Sequence, residues 1–194
     1  MAISYDWAQE WAGRSEGLAG EGRLPEAAEL LQHGLDRVDG GGGEWTDGRL
    51  AAFALFAELL EGVHGALGDM DALRRLFTRL RASCRAADLP RGELLALGKL
   101  VVLEAVMDDF EAAAGAGLEL VHLWAEWEWG EPGVADEGVA EAASSLGKAA
   151  RAAHHHGDQA HAAVLTQFAL TLDENERSAL FARRGRPGPG TGSG

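Results

Sequence analysis

Apolar residues recur along this chain at three- and four-residue steps, and short Gly-, Asp- and Pro-containing breaks interrupt the runs. The clearest run is Gly157–Leu172. A Gly-Asp pair opens it, and Ala162, Leu165, Phe168, Ala169 and Leu172 follow on one helical face. Comparable turn-plus-stripe segments start at Gly22, Gly68 and Met107. The starts are spaced by about 39 to 50 residues, the kind of period that marks a helical repeat.

Taken in order, the pattern predicts a first helix over Tyr5–Ala19, with Trp7, Trp11 and Leu18 on one face. Pro25 sits in the first turn of the second helix, where its missing N–H costs nothing. That helix carries Leu24, Ala27, Ala28, Leu31, Leu35 and Val38. Gly40–Gly43 reads as a flexible link. A third helix, capped by Thr46 or Asp47, presents Leu50, Phe53, Ala57, Leu60, His64 and Leu67. The fourth turns in Leu73, Leu76, Phe77, Leu80 and Cys84, and Pro90 separates it from a fifth over Gly92–Val106. The fifth is apolar on most sides and reads as a central helix. The sixth carries Phe110, Ala114, Gly117, Val121 and Trp124. A seventh helix over Glu137–His155 and an eighth over Asp158–Leu172 follow. A short ninth over Glu174–Arg183, with Leu180 and Phe181, closes the array. No strand-period segment of useful length occurs. The expectation is an all-α antiparallel helix-hairpin array of four helix pairs plus a C-terminal capping helix. It spans residues 1–184 as one domain, and residues 185–194 form a disordered Gly/Pro-rich tail.

Composition narrows the function classes. The chain has 194 residues, 46% of them hydrophobic, which suffices for a packed interior. Its formal net charge of −14 opposes nucleic-acid phosphates and anionic membranes, so neither is an expected partner. A single cysteine, Cys84, excludes an internal disulfide and reads as a small buried hydrophobe. The N-terminus lacks a basic and apolar leader pattern. The most apolar segment, Leu94–Met107, is broken by Gly98, Lys99 and Glu104, and no membrane span is expected. These features together predict a cytoplasmic protein.

The phase of the small residues resembles the tetratricopeptide-repeat superfamily. Gly157, Asp158, Ala162 and Ala169, followed by Leu170, match its second-helix pattern, as do Gly22, Ala27 and Leu31. The second unit keeps Gly68, Asp69 and Phe77 but has Leu73 in place of Ala. The third keeps only the acidic pair Asp108-Asp109, with Ala112 or Ala113 as the small residue. The units are longer than the family's usual length of about 34 residues. The resemblance implies an α-solenoid that binds a protein or peptide without catalysis or cofactor, as an adaptor or regulator. By the family's phase the concave first-helix face would carry Glu58, Gly62, Leu95, Gly98, Val102, Arg151 and His154. Gly98 would form open floor, and Arg151 would receive a carboxylate.

Other residue clusters suggest further chemistry. Glu61-Gly62-Val63-His64 and Glu119-Leu120-Val121-His122 are two Glu-x-x-His pairs, the motif that holds two metals in some four-helix bundles, with Glu29 and Glu104 as further ligands. That alternative is a helical-bundle metalloenzyme. Against it, packing accounts for His64, and the expectation is no bound metal. His154-His155-His156 with Asp158 and His161 reads first as a polar helix terminus, because successive helical residues point about 100° apart. The fourth helix is basic, with Arg74, Arg75, Arg79, Arg81 and Arg85. Arg74, Arg81 and Arg85, together with Trp127 and Trp129, are candidate surface anchors for a partner. A self-associating homo-oligomeric subunit, its groove filled by a neighbour's Trp-rich segment, is the third reading.

Overall fold

A computed structural model of the chain describes residues 5–40, 45–126 and 134–184, with side chains for all of these except 134–138 and 173–184. Among the described residues there are eight helices and no strands. They are α1 (Tyr5–Gly20), α2 (Leu24–Asp39), α3 (Asp47–Leu67), α4 (Met70–Ala86), α5 (Pro90–Val106), α6 (Phe110–Glu126), α7 (Val134–His155) and α8 (Gln159–Arg184). The ninth helix expected from the sequence is not separate, because α8 runs unbroken to Arg184. Asp173-Glu174-Asn175-Glu176 is polar, but it contains neither Gly nor Pro to stop a helix. The Gly/Pro-rich 185–194 segment lies outside the described residues.

The hairpin turns fall where the spacing places them, and five helix ends close in one way. The residue after the last turn takes a left-handed backbone: Gly22 (φ 77°), Gly68 (φ 66°), Asp88 (φ 55°), Asp108 (φ 61°) and Gly157 (φ 82°). The next N–H then reaches back to the carbonyl five residues earlier. Arg23 donates to Leu18 at 2.9 Å, Asp69 to His64 at 3.0 Å, and Leu89, Asp109 and Asp158 to Cys84, Glu104 and Ala153 at 2.9 Å each. Three of the turns add a cap to the following helix. The Asp69 carboxylate accepts from the Ala72 N–H at 2.9 Å, Asp109 from Ala112 at 3.1 Å and Asp158 from His161 at 3.1 Å. At the α1–α2 turn Arg23 stands where these three turns have Asp, and Pro25 does the starting instead.

The chain divides into two compact units, Met1–Leu89 and Pro90–Gly194. In unit 1, α1 packs on α2 and α3, α2 on α3, and α3 on α4. Leu31, Leu35, Val38, Phe56 and Leu60 are its fully buried centre. Phe56 belongs to no simple stripe, yet Trp7 meets its ring edge-on at 5.6 Å. Leu67, counted on the apolar stripe by sequence, is 40% exposed at the helix end. Helix α3 is also long and apolar enough to cross a membrane by length and composition, which the sequence reading assigned to no segment. Its Ala, Leu and Phe content produces that match, and Phe53, Phe56, Ala57 and Leu60 are buried in the protein interior.

Two arginines fasten unit 1. The buried Arg49 guanidinium donates to the carbonyls of Val38 at 2.9 Å and Asp39 at 3.1 Å, and it lies 4.2 Å from the centre of the Trp45 ring. It thereby satisfies carbonyls that the end of α2 leaves open. Arg79 of α4 pairs with Asp36 and, at 2.8 Å, with Asp39, whose other oxygen accepts from the Ser83 hydroxyl at 2.7 Å.

In unit 2, α5 packs on α6 and α7, and α8 on α6 and α7. Its core is a continuous apolar cluster that includes Leu94, Leu97, Val101, Leu120, Leu146, Leu165 and Leu172. Alanines at 113, 142, 149, 153 and 162 let the helices approach. Gly117 goes further: a Cβ there would stand 2.9 Å from Leu146 Cδ2 and 3.2 Å from Phe168 Cδ2.

Candidate functional site

Helices α7 and α8 leave a groove of about 750 Å³ between them on a face of unit 2. Its floor is small: Ala143, Gly147, Ala150, Ala162, Ala163 and Ala169 contribute backbone and methyl groups. Leu170, 46% exposed, forms part of its wall. The polar groups are Arg151, His154 and His155 from α7 and Gln159, Thr166 and Gln167 from α8. Among the described side chains, none that lines it is a carboxylate. The Arg151 side chain is exposed, and its Nη1 would lie 3.5 Å from a Cβ placed at Gly147. His154 Nδ1 is 3.0 Å from Gln159 Oε1, a bond that ties the two helix ends together beside the turn.

The helical periods explain this face. On α7, Ala142, Leu146, Ala149 and Ala153 point into the core, so residues 143, 147, 150 and 154 come to the groove. On α8, Ala162, Leu165 and Leu172 are buried, leaving 159, 163, 166, 167 and 170 outward. Of the groove residues expected from the sequence, Arg151 and His154 line this groove, and the sequence reading named none of its α8 wall. Its signal was the weakly polar outer stripe Gln159, Ala163, Thr166 and Leu170, which contains no charge.

The remaining groove positions divide between the units. In unit 1, exposed Glu58 and Gly62 line a hollow of about 380 Å³ with Ser15, Glu16 and Ala19 of α1. In unit 2, Leu95 and Val102 are half-buried on α5 and do not border the α7–α8 groove. Gly98 is not open floor. It is buried, and a Cβ there would meet Ser145 Oγ at 3.4 Å and the Ala142 Cα at 3.9 Å, so it is a packing glycine between α5 and α7. The anchors also differ from expectation. Arg74 and Arg81 are half-buried and Arg85 is exposed, and each already interacts within the fold. Trp127 and Trp129 lie outside the described residues.

The metal-binding patterns resolve into local contacts. Glu119 and His122 are exposed on α6, and Glu29 is exposed on α2, while Glu104 is buried on α5. Among the described residues no three His, Cys, Asp or Glu side chains gather closely enough to hold a metal ion. The histidines near the α7–α8 turn face separate partners. His156 Nε2 is 3.3 Å from Asp108 Oδ1, and His161 Nδ1 is 2.7 Å from Asp158 Oδ2. The hydrogen bond from His161 holds the Asp158 carboxyl below the usual carboxylate range.

The geometry of both units has a counterpart among solved structures. The chain is similar to BtubC (BKLC) from P. vanneervenii, with a TM-score of 0.56 at 15% identity, over 96% of this chain and 68% of that one. Identity at this level carries the all-helical fold and nothing of function. No family model matches the sequence, and no curated protein does.

Proposed function

We propose that this chain is a protein-interaction module of the tetratricopeptide-like, α-solenoid kind, an adaptor or regulator working in the cytoplasm. Its docking surface on this reading is the α7–α8 groove, and its occupant is an acidic helical segment of another protein. The observation that carries the reading is the character of that groove: an alanine floor, a basic residue and two histidines on the rim, and no carboxylate among the described side chains that line it. A floor of methyl groups admits a helix at close range, and helix-in-groove recognition uses such a surface. The chain's net charge of −14 disfavours acidic partners in general, so a strip whose described lining carries Arg151 and no carboxylate offers them a place to land. The two residues that support the earlier repeat-based assignment and also border this groove are Arg151 and His154. The five identical helix-end closures support a repeat architecture.

The test uses a photo-crosslinker at Gln167 in the full chain, exposed to lysate of the source cell. An adduct that is lost on Ala163→Glu, which puts a carboxylate in the floor, is the expected result. With the partner purified, Arg151→Ala weakens binding by about 1.5–3 kcal/mol, the range for a charged hydrogen bond. An adduct indifferent to both substitutions removes the groove from the function. An adduct with a second copy of the chain replaces the acidic partner with self-association.

A further inference from the structure

A second recess lies within unit 1 and is independent of the α7–α8 groove. Helices α1, α2 and α3 leave between them a hollow of about 380 Å³. Leu24 of α2 and Leu59 and Val63 of α3, all half-buried, give it an apolar lining. Gly62 opens it: the residue is exposed, and a Cβ added there would meet nothing within 4 Å. The Ser15 hydroxyl, also in the lining, already donates to the Ala12 carbonyl at 2.8 Å. The charged side chains that line the hollow are Glu16 of α1 and Glu58 of α3, both exposed. Glu58 and Gly62 stand four residues apart, so the carboxylate and the gap share one face of α3.

The cations of these helices are engaged elsewhere. Arg14, Arg37 and Arg49 are the only lysine or arginine residues on α1, α2 and α3. Each sits against an indole: Arg14 lies 5.9 Å from the centre of the Trp11 ring, Arg37 5.0 Å from that of Trp7 and Arg49 4.2 Å from that of Trp45. Arg23, just before α2, pairs with Glu21 and Glu26. None of the four lines the hollow, so two carboxylates share an apolar recess whose described lining holds no lysine or arginine.

We propose that this hollow docks a basic amphipathic helix of another protein, an apolar side chain entering beside Leu59 and Val63 while neighbouring lysine or arginine pairs with Glu16 and Glu58. The polarity selects the occupant. An acidic segment meets two like charges and no lysine or arginine, and a wholly apolar one leaves both carboxylates uncompensated. A helix with an apolar residue at i and cations at i+3 or i+4 brings both kinds of group to one recess. This preference is the reverse of that of the α7–α8 groove, so one probe of each sign tells the two sites apart.

The experiment uses the full chain and a blocked, dye-labelled amphipathic helix of about 14 residues built of Leu and Lys, with its Leu/Glu counterpart as the second probe. Fluorescence anisotropy gives the affinity. Methyl NMR gives the place, with the Val63 signals assigned by their loss in Val63→Ala. The Leu/Lys probe is expected to bind saturably and move the Val63 signals, and the Leu/Glu probe to leave them in place. Glu16→Gln combined with Glu58→Gln should weaken the Leu/Lys probe about three- to tenfold, the scale of two exposed ion pairs. Glu10→Gln combined with Glu111→Gln removes the same charge from exposed positions outside the hollow. That pair should change binding by less than about twofold, because distant charges are screened. Gly62→Leu closes the gap and should weaken the Leu/Lys probe at least as far as the first pair, with circular dichroism unchanged. Val63 signals that stay in place under the Leu/Lys probe, or that respond equally to both probes, overturn the proposal. Equal weakening by the two double variants overturns it as well, since overall charge would then account for the binding.

Discussion

In unit 1 helices are fastened by side chains that reach across to α2, Arg49 of α3 onto its end and Arg79 of α4 onto Asp36 and Asp39. In unit 2 the corresponding closeness is achieved by leaving side chains out: Gly98, Gly117 and a series of alanines bring α5, α6, α7 and α8 together. Both solutions tolerate a chain with 27 glycines, but they fail differently. A polar clamp has a direction, so it fixes which carbonyls or carboxylates sit opposite it. An alanine interface fixes distance and leaves the outer face small, which is why the floor of the α7–α8 groove is made of methyl groups.

The largest expected effect is in the alanine-packed core. Leu146→Ala should cost about 2–5 kcal/mol, because a fully buried leucine between close helices leaves a cavity that small neighbours cannot fill. Native-state hydrogen exchange of α7 amides measures it. Next comes the clamp. Arg49→Ala should cost about 2–3 kcal/mol, and Arg49→Lys nearly as much, since a lysine cannot serve two carbonyls and stack on Trp45 together. Amide exchange at the end of α2 reads that loss, and a lysine that fully rescues would mean charge alone is at work.

Glycines provide a smaller and more discriminating comparison. A Cβ at Gly34 would lie 2.7 Å from the Phe56 ring, which is fully buried, whereas Gly117 faces the movable ends of Leu146 and Phe168. Gly34→Ala should therefore destabilise by about 1–3 kcal/mol. Gly117→Ala should fall within about 1 kcal/mol of neutral, as the helix-propensity gain offsets a modest shift of side chains. Urea denaturation of both variants decides it, and an inverted order would place the rigid contact in unit 2.

The subtlest difference is in pH response. Burial, reinforced by Arg75, lowers the His64 pKa below its ordinary 6.5. Below that value the unfolded chain takes up a proton that the folded chain resists, so this contribution is present above the ordinary 6.5 and is lost as the pH falls through the lowered folded-state value. In unit 2 the hydrogen bond from His161 depresses Asp158 below 3.8, so that contribution persists until the pH falls below about 4. Asp36 follows the same acid rule: burial raises it, and the bonds from Arg79 and Gln32 outweigh burial. His64→Gln should flatten the slope of stability just below pH 6.5, and an unchanged slope would assign it to another group.

Much of this fold is legible in the residues because its turns are chemical. A Gly or Asp in left-handed geometry, followed by a capping Asp, announces itself at Gly68, Asp108 and Gly157. The stripes of α2, α4 and α8 are narrow enough to read one face from. Legibility fails where a helix is apolar over a wide arc. On α3 the period selects Leu67, which is exposed, and passes over Phe56, which is not. The binding surface is harder still. Sequence phase placed Gly98 on an open floor because a glycine without neighbours and one under another helix look alike in one dimension.

Arg49 also has a topological consequence. It caps the end of α2 from 10 and 11 residues further along the chain, so the geometry of that joint is written in non-covalent bonds. Continuity of the backbone between Gly40 and Thr46 is then dispensable for holding α2 against α3. Doubling a loop there costs only about 0.6 kcal/mol in closure entropy. The same position is suited to splitting unit 1 into two fragments that recombine through Arg49 and the buried side chains around Phe56.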